Sequence, residues 1–431
     1  MLRHAAVRSS LWLIVEKLLS MAISLAVTLA IARHLAPEQF GTLSYLLALA
    51  ALLVPFSALG LNAIITREVV QRPADEQQIM GTALTLRLCG ALLCGGLCLL
   101  LAPLYLPEHQ RFMFTLLLLG NLFTSFTVID YWIQARVDNR YAAKMRLMVL
   151  SLMAGLRFLA VYFEQSLSMF VYLAALEMLL MGLGFTFLYS YRGGSLRRLT
   201  ASIKEAKYLL SQSWLLMLSG IAAIIYLKMD QVMLGWLSSS EQVGIYAVAA
   251  RLSEVWYFFP TAIVTSFFPQ LINHRRNAPN TYKLQLQKLN DFLFLGAFLV
   301  AILVQFVAPW AINILFGAEY ALSAPVLVIH IWAGVFIFMR ALLSKWLLVE
   351  NYLFFSMLTQ FTGALLNVLL NYWLIPLYGA TGAAAATVLS YAAASYLALF
   401  FHKNTWPMAL IMTRSLVLPL RLVVFRTGLY K

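Results

Sequence analysis

Charged residues and cysteines are both scarce in this 431-residue chain, which is 11% charged and 62% hydrophobic. A soluble domain carries about 25% charged residues. The low charge content therefore excludes an ordinary soluble protein and indicates a polytopic membrane protein. The three cysteines, Cys89, Cys94 and Cys98, lie within one apolar run without nearby ligand partners. We interpret them as packing residues rather than as disulfide or metal-binding residues.

Motifs for nucleotide, metal or nucleophilic chemistry are also missing. The sequence has no P-loop, no cluster of metal ligands and no distinguishable Ser/His/Asp arrangement. ATP is therefore not expected to drive the protein directly. We predict that the protein is not an enzyme, with no catalytic residue, no bound metal and no cofactor.

Long apolar runs dominate the chain instead. About 20 apolar residues in a helix cover the 30 Å hydrocarbon core of a bilayer. On this basis we predict an all-α fold with twelve membrane spans. Their approximate positions are 10–32, 39–62, 81–103, 112–134, 147–163, 169–191, 209–234, 245–272, 291–313, 324–348, 357–375 and 381–401.

The basic residues are distributed unevenly between the two sides of these spans. With a cytoplasmic N-terminus, the inside segments hold 22 of the 31 lysines and arginines, whereas the outside segments hold two, Arg33 and Arg111. This asymmetry fits the positive-inside rule and places both termini in the cytoplasm. Because topology accounts for most of the net charge of +14, we do not expect nucleic acid as a partner.

A short motif recurs at the same place in each half. Glu38-Gln39-Phe40-Gly41 follows the first span, and Glu241-Gln242-Val243-Gly244 follows the seventh. This recurrence of the motif predicts two parallel repeats, here two six-helix bundles at 1–191 and 209–401. The basic segment 192–208 is then a cytoplasmic linker, and 402–431 is a cytoplasmic or interfacial tail.

Several charged side chains lie inside the predicted spans. Leaving the cations in lipid would cost on the order of 20 kcal/mol, more than the stability of a typical fold, so most must be paired or hydrated. Arg251 and Glu254 can neutralise each other on one helix, whereas Asp230 shares a polar stripe with Ser219 and Tyr226. The cations are Lys17, Arg87, Arg157, Lys228, Arg251, Arg340 and Lys345, and the acids are Glu16, Asp130, Glu177, Asp230 and Glu254.

Four of these cations, Lys17, Arg87, Arg157 and Arg340, have no acid at helical spacing on the exposed side. For them we predict a water-filled cavity within the membrane. Lys17 supports this interpretation, because Ser20, Ser24 and Thr28 follow it at steps of three or four and so share its helical stripe.

These features resemble the O-antigen flippases of the Wzx type. These flippases belong to the polysaccharide-transport branch of a superfamily that also includes multidrug-and-toxin extruders and the lipid II flippase. The resemblance covers nearly the whole chain, with one departure at Ala36, where the family usually has glycine. It is carried by Glu16-Lys17, Ala32-Arg33, Leu35, Pro37 to Gly41, Gly60-Leu61, Arg67-Glu68, and later Asp230, Gly244, Tyr246, Arg251 and NYWLIPLYGATGAAAATVLSY.

The resemblance implies two six-helix bundles around a central cleft that opens alternately to either side. It also implies a cargo of undecaprenyl-diphosphate-linked oligosaccharide, moved from the cytoplasmic to the periplasmic leaflet of the bacterial inner membrane. Membrane lipid, a coupled proton or sodium ion, and other polysaccharide-assembly membrane proteins are further expected partners.

Residue roles follow from combining this resemblance with the charges. We predict headgroup or sugar contacts, ion-coupling carboxylates, and residues at a gate or a helix end. The predicted contacts are Lys17, Arg87, Arg157, Arg251 and Arg340; the coupling candidates are Glu16, Glu177 and Asp230; the gate residues are Arg33, Arg67 and Glu68.

Three alternatives stay open. A multidrug or organic-cation exporter of the same superfamily would favour excess acid in its spans, whereas these spans carry seven cations and five acids. A membrane glycosyltransferase or polymerase is disfavoured by the short predicted outside loops, such as 164–168. A non-transporting partner of polysaccharide enzymes is separated from a transporter only by a transport assay.

Overall fold

The computed structural model describes residues 2–136, 138–419 and 421, with side chains from residue 15 onward. Its regular secondary structure, within these residues, is helical throughout. The first helices are α1 (Leu2–Ala58), α2 (Asn62–Gln71), α3 (Glu76–Tyr105), α4 (Glu108–Thr124), α5 (Val128–Ala135), α6 (Asn139–Tyr162), α7 (Leu167–Tyr191) and α8 (Ile203–Leu237). The later helices are α9 (Ser240–Glu254), α10 (Phe258–Asn277), α11 (Pro279–Phe316), α12 (Ser323–His330), α13 (Ala333–Val349), α14 (Leu353–Ser395) and α15 (Trp406–Leu416).

Ten helical segments in the described part of the chain are long and apolar enough to cross a membrane. Two of them, Val15–Gln71 and Leu353–Phe401, contain 57 and 49 residues, at least twice what one crossing needs. Each contains a residue with non-helical backbone angles, Ala36 in the first and Gly379 in the second. These breaks lie between the predicted spans 1 and 2 and between spans 11 and 12. The all-α polytopic fold is confirmed, and the count of twelve spans stays a prediction.

The chain separates into two compact units, Met1–Val232 and Met233–Lys431. In the first unit, α1 packs against α3 and α6, α2 against α5, and α4 against α7. In the second unit, α13 packs against α10, α11 and α14, and α9 packs against α12. The predicted division into bundles at 1–191 and 209–401 stays a prediction.

In each unit a long-range hydrogen bond lies at or near the recurring motif. His34 Nε2 lies 2.7 Å from the carbonyl oxygen of Gln165, to which it donates. In the second unit, Gln242 Oε1 accepts a hydrogen bond of 2.9 Å from the Ala380 backbone N–H. Each contact joins the corner after a predicted first span to a corner more than 130 residues later in the same unit. The two repeats stay a prediction, because His34 precedes its motif and Gln242 lies within the second one.

The kink in α1 places a non-glycine residue in an unfavourable backbone conformation. Ala36 has φ 57° and ψ 170°. Residues other than glycine rarely adopt these backbone angles, and the conformation costs about 1–3 kcal/mol. We expect Ala36→Gly to relieve this strain and to raise the thermal unfolding midpoint of the detergent-purified protein. Alanine placed at Gly379, which has φ 56°, is the matched control and should lower the midpoint. An unchanged or lower midpoint for Ala36→Gly would show that the kink is not strained.

The predicted linker is partly packed rather than free. A Cβ atom added to Gly81 of α3 would lie 2.4 Å from the carbonyl oxygen of Thr200, so only glycine allows this close approach. The Ser202 backbone N–H donates to Thr82 Oγ1 at 3.1 Å. The linker therefore packs against the N-terminal part of α3 on its way from the end of α7 to the first turn of α8.

Part of the predicted interfacial tail packs on the second unit. In α15, Met408, Ala409 and Met412 are buried, and Ser415 Oγ donates to Asp291 Oδ1 of α11 at 2.6 Å. The segment following Arg421 lies outside the described residues. A side chain at each turn of α15 thus faces protein, which a purely interfacial helix does not require.

Candidate functional site

An arginine shared by two carboxylates lies within the apolar helices of the first unit. Arg146 of α6 contacts Glu16 of α1 at 3.3 Å and Asp130 of α5 at 2.9 Å. Gln134 Nε2 donates to the other oxygen of Asp130 at 3.0 Å. Three helices are therefore joined by charge-assisted hydrogen bonds. The sequence places Arg146 in a cytoplasmic segment just before a predicted span, whereas in the fold it lies opposite Glu16.

A second ion pair joins the neighbouring helices. Arg157 Nη2 of α6 donates to Glu177 Oε2 of α7 at 2.6 Å. The predicted sugar contact Arg157 and the predicted coupling residue Glu177 are thus brought together. Each side chain offsets the charge of the other, because opposite charges at this distance attract each other.

Arg87 of α3 is buried, with 2% of its surface exposed. Its Nη1 donates to Tyr131 Oη at 3.2 Å, and its Nη2 donates to the Thr124 carbonyl oxygen at 3.0 Å. Its Nε has no hydrogen-bond partner among the described residues. The guanidinium carbon also lies 5.6 Å from the centre of the Tyr131 ring, a cation–π distance. This arginine is held by neutral groups instead of by a carboxylate.

A charged network surrounds Glu68, which is 2% exposed. Arg67 Nη2 and Arg72 Nε donate to its two carboxylate oxygens at 2.7 and 2.9 Å, and Tyr208 Oη donates at 3.1 Å. Arg72 also donates to both oxygens of Glu205 at the start of α8. Hydrogen bonding to Glu205 raises the pKa of Arg72 above its ordinary value, so the Arg72 guanidinium stays positively charged at physiological pH.

The remaining predicted residues of the first unit occupy different surroundings. Lys17 is exposed on α1 and forms no ion pair with any side chain described by the structure. Arg33 is exposed near the kink, and Asp230 of α8 is buried. The exposed Lys17 ammonium is therefore available to a ligand, which a lysine held in an ion pair would not be.

In the second unit, Arg340 of α13 is held between two parts of α14. Its Nη1 donates to Thr359 Oγ1 at 3.0 Å and to the Ala394 carbonyl oxygen at 3.1 Å. Its Nη2 donates to the Ser356 carbonyl oxygen at 3.1 Å. Arg251 of α9 is half-buried. These three contacts of Arg340, like the two of Arg87, are made to neutral oxygen acceptors.

The partners of the charged residues were harder to predict than the charges themselves. The predicted site residues do not include Arg146, Arg72 and Tyr208, which contact Glu16 or Glu68. They also do not include Glu205, which contacts Arg72. The available signal was the basic segment 192–208, which contains Glu205 and Tyr208, but helical spacing compares residues within one helix only. All these pairs join different helices, apart from Arg67, Glu68 and Arg72 within α2 and its end.

Known proteins match this chain over much of its length. A family model described as "Polysaccharide biosynthesis protein" matches residues 6–273. The "Probable low-salt glycan biosynthesis flippase Agl15" of Haloferax volcanii is 26% identical over 195 residues, 44% of this chain and 41% of that protein. The "Probable flippase AglR" of the same organism is 32% identical over 199 residues, 42% and 39% of the two chains. The chain therefore spans about two fifths of the length of the curated relatives it matches.

The fold is shared with a solved membrane protein. The structure titled "Lipid II flippase MurJ, inward closed conformation" superposes with a TM-score of 0.71 over 97% of this chain and 93% of that chain, at 13% identity. At this identity the likeness shows the fold alone. The matched family model covers more than half of the sequence and confirms the resemblance to the polysaccharide branch. The chain belongs to the polysaccharide biosynthesis protein family.

Proposed function

We propose that this protein is a flippase for an undecaprenyl-diphosphate-linked oligosaccharide. It moves the glycan, an O-antigen or a related repeat unit, from the cytoplasmic to the periplasmic leaflet of the bacterial inner membrane by alternating access. The flippase names of the two archaeal relatives and the lipid II flippase fold support this proposal. The polyprenyl tail stays in lipid while the protein carries the headgroup past the hydrocarbon core.

The observation that carries the proposal is an exposed cation on an apolar helix. Lys17 lies on α1 without an ion pair among the described side chains, in a segment where an unused charge is costly. Diphosphate oxygens form charge-assisted hydrogen bonds with ammonium and guanidinium groups. Lys17, Arg87, Arg157, Arg251 and Arg340 are the proposed contacts to the headgroup or its sugars.

Ion coupling is a further part of the proposal. A carboxylate that gains or loses a proton inside a membrane protein can link ion movement to a conformational change. Glu16, Glu177 and Asp230 are the proposed coupling residues, and Arg33, Arg67 and Glu68 the proposed gate or helix-end residues. Glu16 contacts Arg146, and Glu177 contacts Arg157. In the proposed coupling, each carboxylate exchanges this arginine for the coupled ion when the conformation changes.

The paired carboxylates disfavour the organic-cation exporter. A cationic drug needs an unneutralised acid, but Glu16 and Asp130 share Arg146, and Glu177 contacts Arg157.

The experiment that tests the proposal is complementation of a bacterial strain that lacks its own flippase. Restored surface polysaccharide without increased efflux of a cationic dye supports the flippase. Dye efflux without restored polysaccharide would contradict it.

We expect the double variant Lys17→Ala/Arg251→Ala to lose most surface polysaccharide in this strain, because two cations for the headgroup are removed. The loss should be about tenfold or more, since charged hydrogen bonds contribute about 1.5–3 kcal/mol each. Lys288→Ala/Arg276→Ala removes two exposed cations elsewhere and serves as the control. Wild-type polysaccharide from the first variant, at equal protein abundance, would refute the assigned contacts.

A further inference from the structure

A pocket of about 700 Å³ lies beside α2 in the first unit. This volume falls within the range of about 300–1,000 Å³ that is typical of ligand sites. Its polar wall consists of Asn62, Thr66, Arg67, Gln71 and Gln134. The rest of its lining is small or apolar.

Most of the polar wall has unused hydrogen-bonding capacity. The side-chain amides of Asn62 and Gln71 form no hydrogen bonds with other described residues, and both residues are exposed. Gln134 commits its Nε2 to Asp130 at 3.0 Å, which leaves its Oε1 as an acceptor. A primary amide offers both donors and acceptors. The wall can therefore receive and supply hydrogen bonds at several points.

Arg67 is the only cation of this polar wall, and the Glu68 carboxylate partly neutralises its charge. Arg67 donates through Nε and Nη2 to Glu68 Oε1 at 3.0 and 2.7 Å, yet its side chain is 42% exposed. Its Nη1 makes no hydrogen bond within the described structure. The guanidinium can thus donate to a neutral oxygen, whereas its attraction for a phosphate is reduced by the adjacent carboxylate.

We propose that this pocket binds the neutral saccharide part of the cargo, while the diphosphate binds elsewhere. Amides, a hydroxyl and an offset guanidinium match the hydroxyl and ring oxygens of a sugar, and the apolar lining matches its C–H surface. The pocket borders residues 63–80, predicted to be cytoplasmic, the side from which the glycan is loaded. This proposal rests on the proposed function and adds a glycan subsite to it.

Equilibrium binding to the full-length protein in nanodiscs tests the assignment. The two probes are undecaprenyl diphosphate and the same lipid carrying the repeat unit, extracted from the host used for complementation. The two variants are Gln71→Ala, which removes an amide without hydrogen-bond partners among the described residues, and Gln134→Ala. Gln78→Ala, a half-buried glutamine outside the pocket, is the control. Elution as a single folded species by size exclusion is required of each variant.

We expect Gln71→Ala and Gln134→Ala each to weaken binding of the glycan-bearing lipid about tenfold. Binding of the sugar-free lipid should not change, and Gln78→Ala should leave both affinities unchanged. Unchanged affinity for the glycan-bearing lipid would overturn the proposal, and an equal loss for both lipids would assign the pocket to the diphosphate instead. Failure of the proposed function is distinguishable, because the wild-type protein would then bind neither lipid.

Discussion

Replacing Gly60 with alanine is expected to destabilise the first unit strongly. A Cβ atom at this position would lie 2.4 Å from the Met217 backbone nitrogen and 2.8 Å from the Ser213 carbonyl oxygen. Gly60 also has φ 65°, which costs an alanine about 1–2 kcal/mol. Overpacking adds about 1–3 kcal/mol, because both clashing atoms belong to the α8 backbone and cannot rotate away.

The measurement is the yield of monodisperse protein and its thermal unfolding midpoint in detergent. Gly96→Ala is the matched control, since a Cβ atom there has nothing within 4 Å and alanine favours a helix. We expect near wild-type yield and midpoint for the control, and a clearly lower midpoint and reduced yield for Gly60→Ala. Similar yields and midpoints for the two variants would contradict the close approach of α8 to the corner at Gly60. The pocket beside α2 would then have a different wall.

Membrane crossing was predictable because it depends on local composition. Runs of about 20 apolar residues and the asymmetry of basic residues are readable along the chain. The structure confirms apolar helices, and its backbone breaks at Ala36 and Gly379 fall where the sequence predicts turns.

Charge pairing was much less predictable. Arg157 has no acid at helical spacing, yet it contacts Glu177 on the next helix. Glu16 is adjacent to Lys17 in sequence, yet it contacts Arg146, 130 residues later. Such pairs depend on which helix faces which, and single-helix periodicity carries no information about neighbours. Cations and acids could therefore be counted from the sequence, but their partners required the fold.

Replacing Arg146 with glutamine is expected to destabilise the protein strongly. Arg146, Glu16 and Asp130 are each at most 20% exposed, so the variant leaves two largely buried carboxylates without their cation. Removing one partner of a buried ion pair costs about 3–5 kcal/mol, and two carboxylates then also repel each other. The thermal unfolding midpoint in detergent measures the loss. Arg140→Gln, which replaces an exposed arginine whose guanidinium contacts Tyr141, should leave the midpoint nearly unchanged.

The triple variant Arg146→Gln/Glu16→Gln/Asp130→Asn separates charge from packing. All three charges are removed while the side-chain shapes stay close to the original at two positions, so most of the lost stability should return. Transport should not return if Glu16 couples an ion, because a glutamine cannot exchange a proton. A triple variant as unstable as Arg146→Gln would show that Arg146 acts through packing of its stem. A stable triple variant with wild-type, gradient-dependent polysaccharide export would instead remove Glu16 from the proposed coupling residues and leave Glu177 and Asp230.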